Sequence, residues 1–187
     1  MIAAETEIFK LSVKPTIGIL RKPSAFFITS SERPIDEIDL NDVMENIESD
    51  LEILIQKKKA VFQKDKLPII EGASVLIYQL FYNLINNALK FSKADVPPLI
   101  TVESAVIGAN EKRMAKIVVT DNGIGIHEDH KANIFDMYFG TNKNKGSGLG
   151  LYIVKEAVEN IKGSISVFSE NTIGSKFIVA IPNYHGN

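Results

Sequence analysis

Gln79-Leu80-Phe81-Tyr82-Asn83-Leu84-Ile85-Asn86-Asn87-Ala88-Leu89-Lys90-Phe91 reads as a helix apolar enough for burial, yet it carries several amides and a cation. At about 3.6 residues per turn, Gln79, Asn83 and Asn87 stack on one face and Lys90 follows three residues later, so four polar heads point one way. Asparagine is a mediocre helix former because its amide competes for backbone hydrogen bonds, and a buried amide left unpaired costs roughly 1–3 kcal/mol. Such a stripe is either a wet face turned to solvent or a face turned to a ligand. Its neighbours along the chain supply the context.

Upstream, Leu40, Val43, Ile47, Leu51, Leu54 and Ile55 recur at helical spacing, which predicts one amphipathic helix over 39–58 with Asp39 as its cap. A short strand is expected over 59–64, then Pro68 and Gly72 as punctuation before the asparagine helix at 73–91. Downstream, 99–107 and 115–120 alternate like strands, and the short Gly108 to Arg113 connection predicts an antiparallel hairpin. A brief helix near 129–135, a glycine-bearing loop, a helix over 149–161 and a strand pair at 164–169 and 176–181 complete the chain. Strands in consecutive pairs with helices clustered between them predict an α+β fold, a two-layer α/β sandwich. Its mixed, mainly antiparallel sheet is covered on one face by helices. Residues 1–38 fit this pattern poorly: Ile8 to Val13 and Ala25 to Ile28 look strand-like, but Pro15, Pro23 and Pro34 interrupt them. They are set apart as an extension or linker, with the domain at 39–182 and a tail at 183–187.

The 187 residues suit one domain of ordinary size, and 45% apolar residues suffice for its core. A net charge of -2, with acids and bases interspersed, leaves no electrostatic footprint for nucleic acid or an anionic membrane. The absence of cysteine excludes disulfides and thiolate metal sites, and is in keeping with a reducing cytoplasm. The opening Met1 to Glu7 carries acids where a signal peptide wants cations, and no run of about 18 apolar residues occurs.

The predicted strand Lys116 to Thr120 runs into Asp121-Asn122-Gly123-Ile124-Gly125-Ile126, leaving a carboxylate at a strand end ahead of two glycines. Such a carboxylate can accept a base amine, and residues without Cβ let a ligand come close; an ordinary Asn-Gly turn accounts for the segment equally well. The loop Gly140-Thr141-Asn142-Lys143-Asn144-Lys145-Gly146-Ser147-Gly148-Leu149-Gly150-Leu151 delivers Lys143, Lys145 and alternate glycines to a helix start. Free N–H groups and the helix dipole there favour a phosphate, the plainer alternative being a linker with solvated lysines. No Gly-x-x-x-x-Gly-Lys-Ser/Thr string occurs, and Gly146-x-Gly148 meets Leu151 where the dinucleotide fingerprint wants glycine, so both familiar nucleotide signatures fail. His127 and His130, beside Glu128 and Asp129, read as surface histidines on a short helix rather than a metal pair; His185 is the third histidine.

Taken in order, the asparagine helix, Asp121-x-Gly123-x-Gly125, Phe135-x-x-x-Phe139 and Gly146-x-Gly148-Leu149-Gly150-Leu151 resemble the ATP-binding domain of sensor histidine kinases. The resemblance runs from about Asp39 to Pro182 and implies the Bergerat-type sandwich shared with gyrase, heat-shock chaperone and mismatch-repair ATPases. It implies ATP and Mg²⁺ as ligands, with Asn87 coordinating the metal, Asn83 helping to hold metal and phosphates, and Lys90 touching phosphate. It further implies that Asp121 accepts from the adenine amine while Gly123 and Gly125 shape the base pocket. Lys143 to Gly150 would then form a mobile lid with Lys145, Gly146, Gly148, Leu149 and Gly150 near the phosphates, braced by Phe135 and Phe139. Ser175, after Gly174, would reach Asp121 through water.

The ATP-hydrolysing cousins carry a glutamate general base where Asn83 stands, and an amide cannot serve as one. The site is therefore expected to bind Mg·ATP and position its γ-phosphate for a nucleophile from elsewhere. In the kinases that nucleophile is a histidine on a helical hairpin ahead of the ATP domain, whereas no histidine precedes His127 here. The expectation is a cytoplasmic fragment of a larger kinase, whose parent protein could be membrane-anchored, or a protein acting on a partner's histidine. The implied partners are a histidine-bearing dimerisation domain, in the same or another chain, and a response regulator. Neither nucleic acid nor direct membrane contact is expected, and dimerisation only through the missing hairpin. The alternatives are a stand-alone serine kinase of the anti-sigma type and a nonenzymatic nucleotide-binding or docking module.

Overall fold

The structure, a computed structural model, describes residues 36–108, 113–139 and 147–183. The strand-like stretches at 8–13 and 25–28, and Lys143, Lys145 and Gly146, lie outside the described residues. A five-stranded sheet runs in the order β2 (Val61–Lys64), β4 (Leu99–Ile107), β5 (Met114–Asp121), β7 (Gly174–Pro182), β6 (Ser164–Glu170). β4 with β5, β5 with β7 and β6 with β7 are antiparallel, as the paired strands in the sequence predict, while β2 joins β4 in parallel.

Alternation places Ile100, Val102, Ala115, Ile117, Val119, Val167, Phe177 and Val179 on one sheet face, all buried. Helices α3 (Ser74–Lys90) and α5 (Gly150–Asn160) cover that face, α3 contributing Ile77, Leu80, Phe81, Leu84, Ile85 and Leu89 and α5 Val154, Ala157 and Val158. These residues form a single apolar cluster with Leu40, Met44 and Ile47 of α1 (Leu40–Asp50). The result is the expected two-layer sandwich.

Four local features depart from the sequence expectation. The helix expected over 39–58 is two, α1 and α2 (Glu52–Lys58), joined at Leu51 with φ -99° and ψ 6°. Leu51 N–H still reaches the Ile47 carbonyl at 3.0 Å and its own carbonyl accepts from Ile55 at 2.9 Å, so the apolar stripe continues round the bend. Asp39 does cap α1, accepting from Asn41 N–H at 2.8 Å. A second departure is an antiparallel ribbon of β1 (Asp36–Asp39), three of whose residues fall in the stretch set apart as extension or linker, and β3 (Ile69–Gly72), where only punctuation was expected. Third, the strand expected from Lys59 begins at Val61, because Lys59 closes α2 in the left-handed conformation with φ 52°. Fourth, the helix expected over 129–135 is shorter, α4 (Glu128–Lys131), and continues as successive three-residue turns through Asn133, Asp136 and Phe139.

Candidate functional site

A cavity of about 340 Å³ lies between α3, the ends of β5 and β7, the segment after β5, and the start of α5. Its walls bring together Asn83, Asn87, Lys90, Asp121, Gly125, Phe139, Gly148, Gly150 and Ser175, residues spread over most of the domain's length. Gly123, Phe135 and Leu149 do not line it: Gly123 acts through its N–H, Phe135 is 4% exposed in the core beneath, and Leu149 stands at the N-cap of α5.

One end is built by strand termini. Asp121, last in β5, pairs in register with Ser175 of β7, and its Oδ1 accepts from Gly123 N–H at 2.8 Å. Burial pushes its carboxyl above the ordinary 3.8, against the opposing pull of the Gly123 and Ser175 backbone N–H groups and the charge of Lys93. The loop after Asp121 lies directly on β6. Gly125 has φ +69°, and a Cβ on it would sit 2.0 Å from the Glu170 carbonyl oxygen, so only glycine fits.

Behind this end lies a hydroxyl network that sequence reasoning missed. Ser169 Oγ donates to the Gly174 carbonyl at 2.8 Å, accepts from Ile126 N–H at 2.9 Å, and lies 2.9 Å from Ser175 Oγ. Ser175 is 8% exposed and faces the cavity, whereas Ser169 has the plain strand setting of β6, so only the three-dimensional pairing reveals it.

The other end is built by amides. Asn83 Nδ2 donates to the Gln79 carbonyl one turn earlier at 2.7 Å, which fixes the amide's orientation and leaves Oδ1 as its outward acceptor. α5 starts against this pair: a Cβ on Gly150 would meet Asn83 Oδ1 and Asn87 Nδ2, each at 3.3 Å, and Asn87 Oδ1 at 3.4 Å. Leu149, the N-cap of α5, makes no side-chain cap, and the first-turn N–H groups of a helix have no partner within the helix, so they suit an acceptor. Lys90 Nζ sits 4.9 Å above the Phe91 ring centre at the cavity rim.

Gln79, grouped with the stripe by periodicity, is exposed and outside the cavity, while Asn86, three residues after Asn83, is in its wall. His127 is a surface residue as expected, accepting from Asp129 N–H at 3.4 Å. His130 differs: half-buried, it lines the cavity and meets Phe139 edge-on with ring centres 5.5 Å apart. The clustering of His127 and His130 was legible; the inward turn of the second was not. Among the described residues no group of three or more histidine or acidic side chains could hold a metal ion. At the helix end of the cavity the hard oxygen donors are the amides of Asn83, Asn86 and Asn87.

Residues 72–185 match the model of the histidine kinase-, DNA gyrase B-, and HSP90-like ATPase family. The chain is 33% identical over 120 residues to the sensor protein RprX of Bacteroides fragilis, covering 62% of this chain and 22% of that protein. It is 32% identical over 155 residues to the autoinducer 2 sensor kinase/phosphatase LuxQ of Vibrio vulnificus, covering 78% of this chain and 18% of that protein. It thus spans only about a fifth of the length of these curated relatives. A catalytic domain of histidine kinase ThkA superposes with TM-score 0.66 and 26% identity, over 80% of this chain and 96% of that one. Full-length ShkA, solved in complex with AMPPNP, shares the fold at TM-score 0.70 and 21% identity, over 84% of this chain and 33% of that one. With the family model matching more than half of its length, the chain belongs to the histidine kinase-, DNA gyrase B-, and HSP90-like ATPases.

Proposed function

We propose that the chain binds Mg·ATP and presents the γ-phosphate to a histidine on a dimerisation domain, from which phosphate passes to a response regulator. The observation that carries this reading is one cavity with a carboxylate, Asp121, at its strand end and, at its helix end, the amide of Asn87 beside that of Asn83, which its bond to the Gln79 carbonyl orients. A carboxylate suits an exocyclic amine of a base. Amide oxygens beside open helix N–H groups suit a hydrated cation and the phosphates it neutralises. Asn83 and Asn87 would hold Mg²⁺ only together with the nucleotide's own oxygens, since two neutral amides supply too few ligands and no charge. The bound metal would neutralise charge developing on the transferred phosphoryl group.

The chain's own residues then bind and orient. Asp121 and Ser175 hold the base, Lys90 adds positive charge near the phosphates, and Gly150 lets α5 approach the amides. Asn83 cannot take a proton from water at neutral pH, which favours transfer to a partner over hydrolysis. The kinase names of the curated relatives support a histidine as acceptor. The domain would work in the cytoplasm, where ATP is held. None of its described helices is long and apolar enough to cross a membrane.

Two experiments test this reading. Millimolar Mg·ATP is expected to raise the melting temperature, with Asn87→Ala and Asp121→Asn each removing the shift; an unchanged wild-type melting curve sinks nucleotide binding. Incubation with radiolabelled ATP and a separate histidine-bearing dimerisation domain should give an acid-labile phosphoprotein and negligible phosphate release by the chain alone. An acid-stable phosphoserine product counts against the histidine acceptor, and brisk steady-state phosphate release refutes the expectation that Asn83 leaves the chain without hydrolysis.

A further inference from the structure

A serine hydroxyl has one hydrogen and two lone pairs, so the three contacts of Ser169 Oγ fix where each goes. The Gly174 carbonyl, 2.8 Å away, can only accept, and therefore takes the Ser169 hydrogen. The Ile126 N–H, 2.9 Å away, can only donate, and occupies one lone pair. Ser175 Oγ, 2.9 Å away, completes the set by donating its own hydrogen to the remaining lone pair. The opposite assignment, Ser169 donating to Ser175, leaves the Gly174 carbonyl without this donor. With its hydrogen drawn back to Ser169, the Ser175 oxygen turns only lone pairs toward the cavity that it lines.

From this we infer that Ser169, which lies outside the cavity wall, is a positioning residue that makes Ser175 an obligate acceptor and thereby sets base selectivity. This inference rests on the nucleotide reading above. Asp121 Oδ1 also accepts, from Gly123 N–H, so the strand end of the cavity presents a carboxylate and a hydroxyl oxygen side by side. A purine with a 6-amino group meets that wall with N–H donors. A purine with a 6-oxo group meets it with a carbonyl, lone pairs against lone pairs. Removing the Ser169 hydroxyl frees the Ser175 O–H to rotate and donate into the cavity, which relieves this conflict.

The test is the ratio of Mg·ATP to Mg·ITP affinity, measured by calorimetry on the full chain. The wild type should prefer ATP at least tenfold. Ser169→Ala should reduce that ratio at least threefold, with ITP binding tighter in absolute terms, a gain that mere structural damage does not give. Ser169→Cys, which fills the same space with a weak acceptor, carries the same expectation should the alanine variant fold poorly. Ser169→Thr, keeping the hydroxyl, should retain the wild-type ratio. In a Ser175→Ala background, Ser169→Ala should change the ratio no further, because the effect travels through the Ser175 oxygen. A ratio unaltered by both Ser169→Ala and Ser169→Cys overturns the proposal, as does an equal change with Ser175 absent. A wild type that binds neither nucleotide removes the nucleotide reading itself. A wild type that binds both equally overturns only the selectivity inference.

Discussion

At the Asp121 end of the cavity the wall is backbone held by strands: β5 and β7 in register, the Gly125 loop on β6, and Ser169 behind Ser175. At the Asn83 end it is side chains on one face of α3, facing a helix start and a loop. The first end shares its hydrogen bonds with the sheet, so changes there threaten fold and binding together. The second end hangs on the outside of a helix whose opposite face is core, so its amides can be changed with the fold retained. The two ends thus separate stability from ligand affinity within a single cavity.

Gly125→Ala should show the largest effect, since its Cβ would fall 2.0 Å from the Glu170 carbonyl. Backbone displacement together with the left-handed φ should lower unfolding free energy by about 3 kcal/mol or more, read by denaturant melts without ligand. If that variant melts like wild type, the strand end is more plastic than its geometry implies. Asn87→Ala, by contrast, should lose the Mg·ATP response while apo stability stays within about 1 kcal/mol of wild type. A collapse of apo stability would erase the distinction between the ends.

Gly150→Ala sharpens the comparison further. At the first residue of α5 the added methyl favours the helix by less than the ~1 kcal/mol it gives in a helix interior, but crowds Asn83 and Asn87 at 3.3 Å. Apo melting should hold or rise while Mg·ATP affinity falls about tenfold, or ~1.4 kcal/mol; stability and affinity falling together would contradict it.

The smallest expected effect is one of pH. The Asp121 carboxyl is raised by burial, so the folded state binds more protons than the unfolded chain between the ordinary value of 3.8 and the higher folded one. The stability this contributes is full below the ordinary value and fades as pH rises through the folded value. The melting temperature of wild type relative to Asp121→Asn, without ligand, should therefore decline from mild acid toward neutrality. A constant difference across that range removes the burial argument.

What the sequence reveals and what it hides follows the same division. Helix α3, the Asp121 strand end, Gly125 and Gly150 were legible because periodicity and Cβ-free positions act locally. Periodicity names a face but not how far a ligand extends along it. Gln79 lies one turn, about 5.4 Å, beyond Asn83 and falls outside the cavity, while steps of four pass over Asn86. The β1 and β3 ribbon consists of four-residue strands paired across a helical pair, with Pro68 just before β3, so neither has a local signature strong enough to read. Ser169 and His130 gain their meaning only from residues brought to them by the sheet and by the turns before Phe139.

The bond from Asn83 Nδ2 to the Gln79 carbonyl has a further consequence, in entropy. A side chain frozen on binding costs about 0.5–1.5 kcal/mol of association free energy. Asn83 is already frozen, by the helix that carries it, at a point where the amide's own hydrogen bond settles which atom faces out. A ligand arriving there meets an oxygen that has given up much of its freedom during folding, so this contact adds a smaller ordering penalty at the moment of binding than a free amide would.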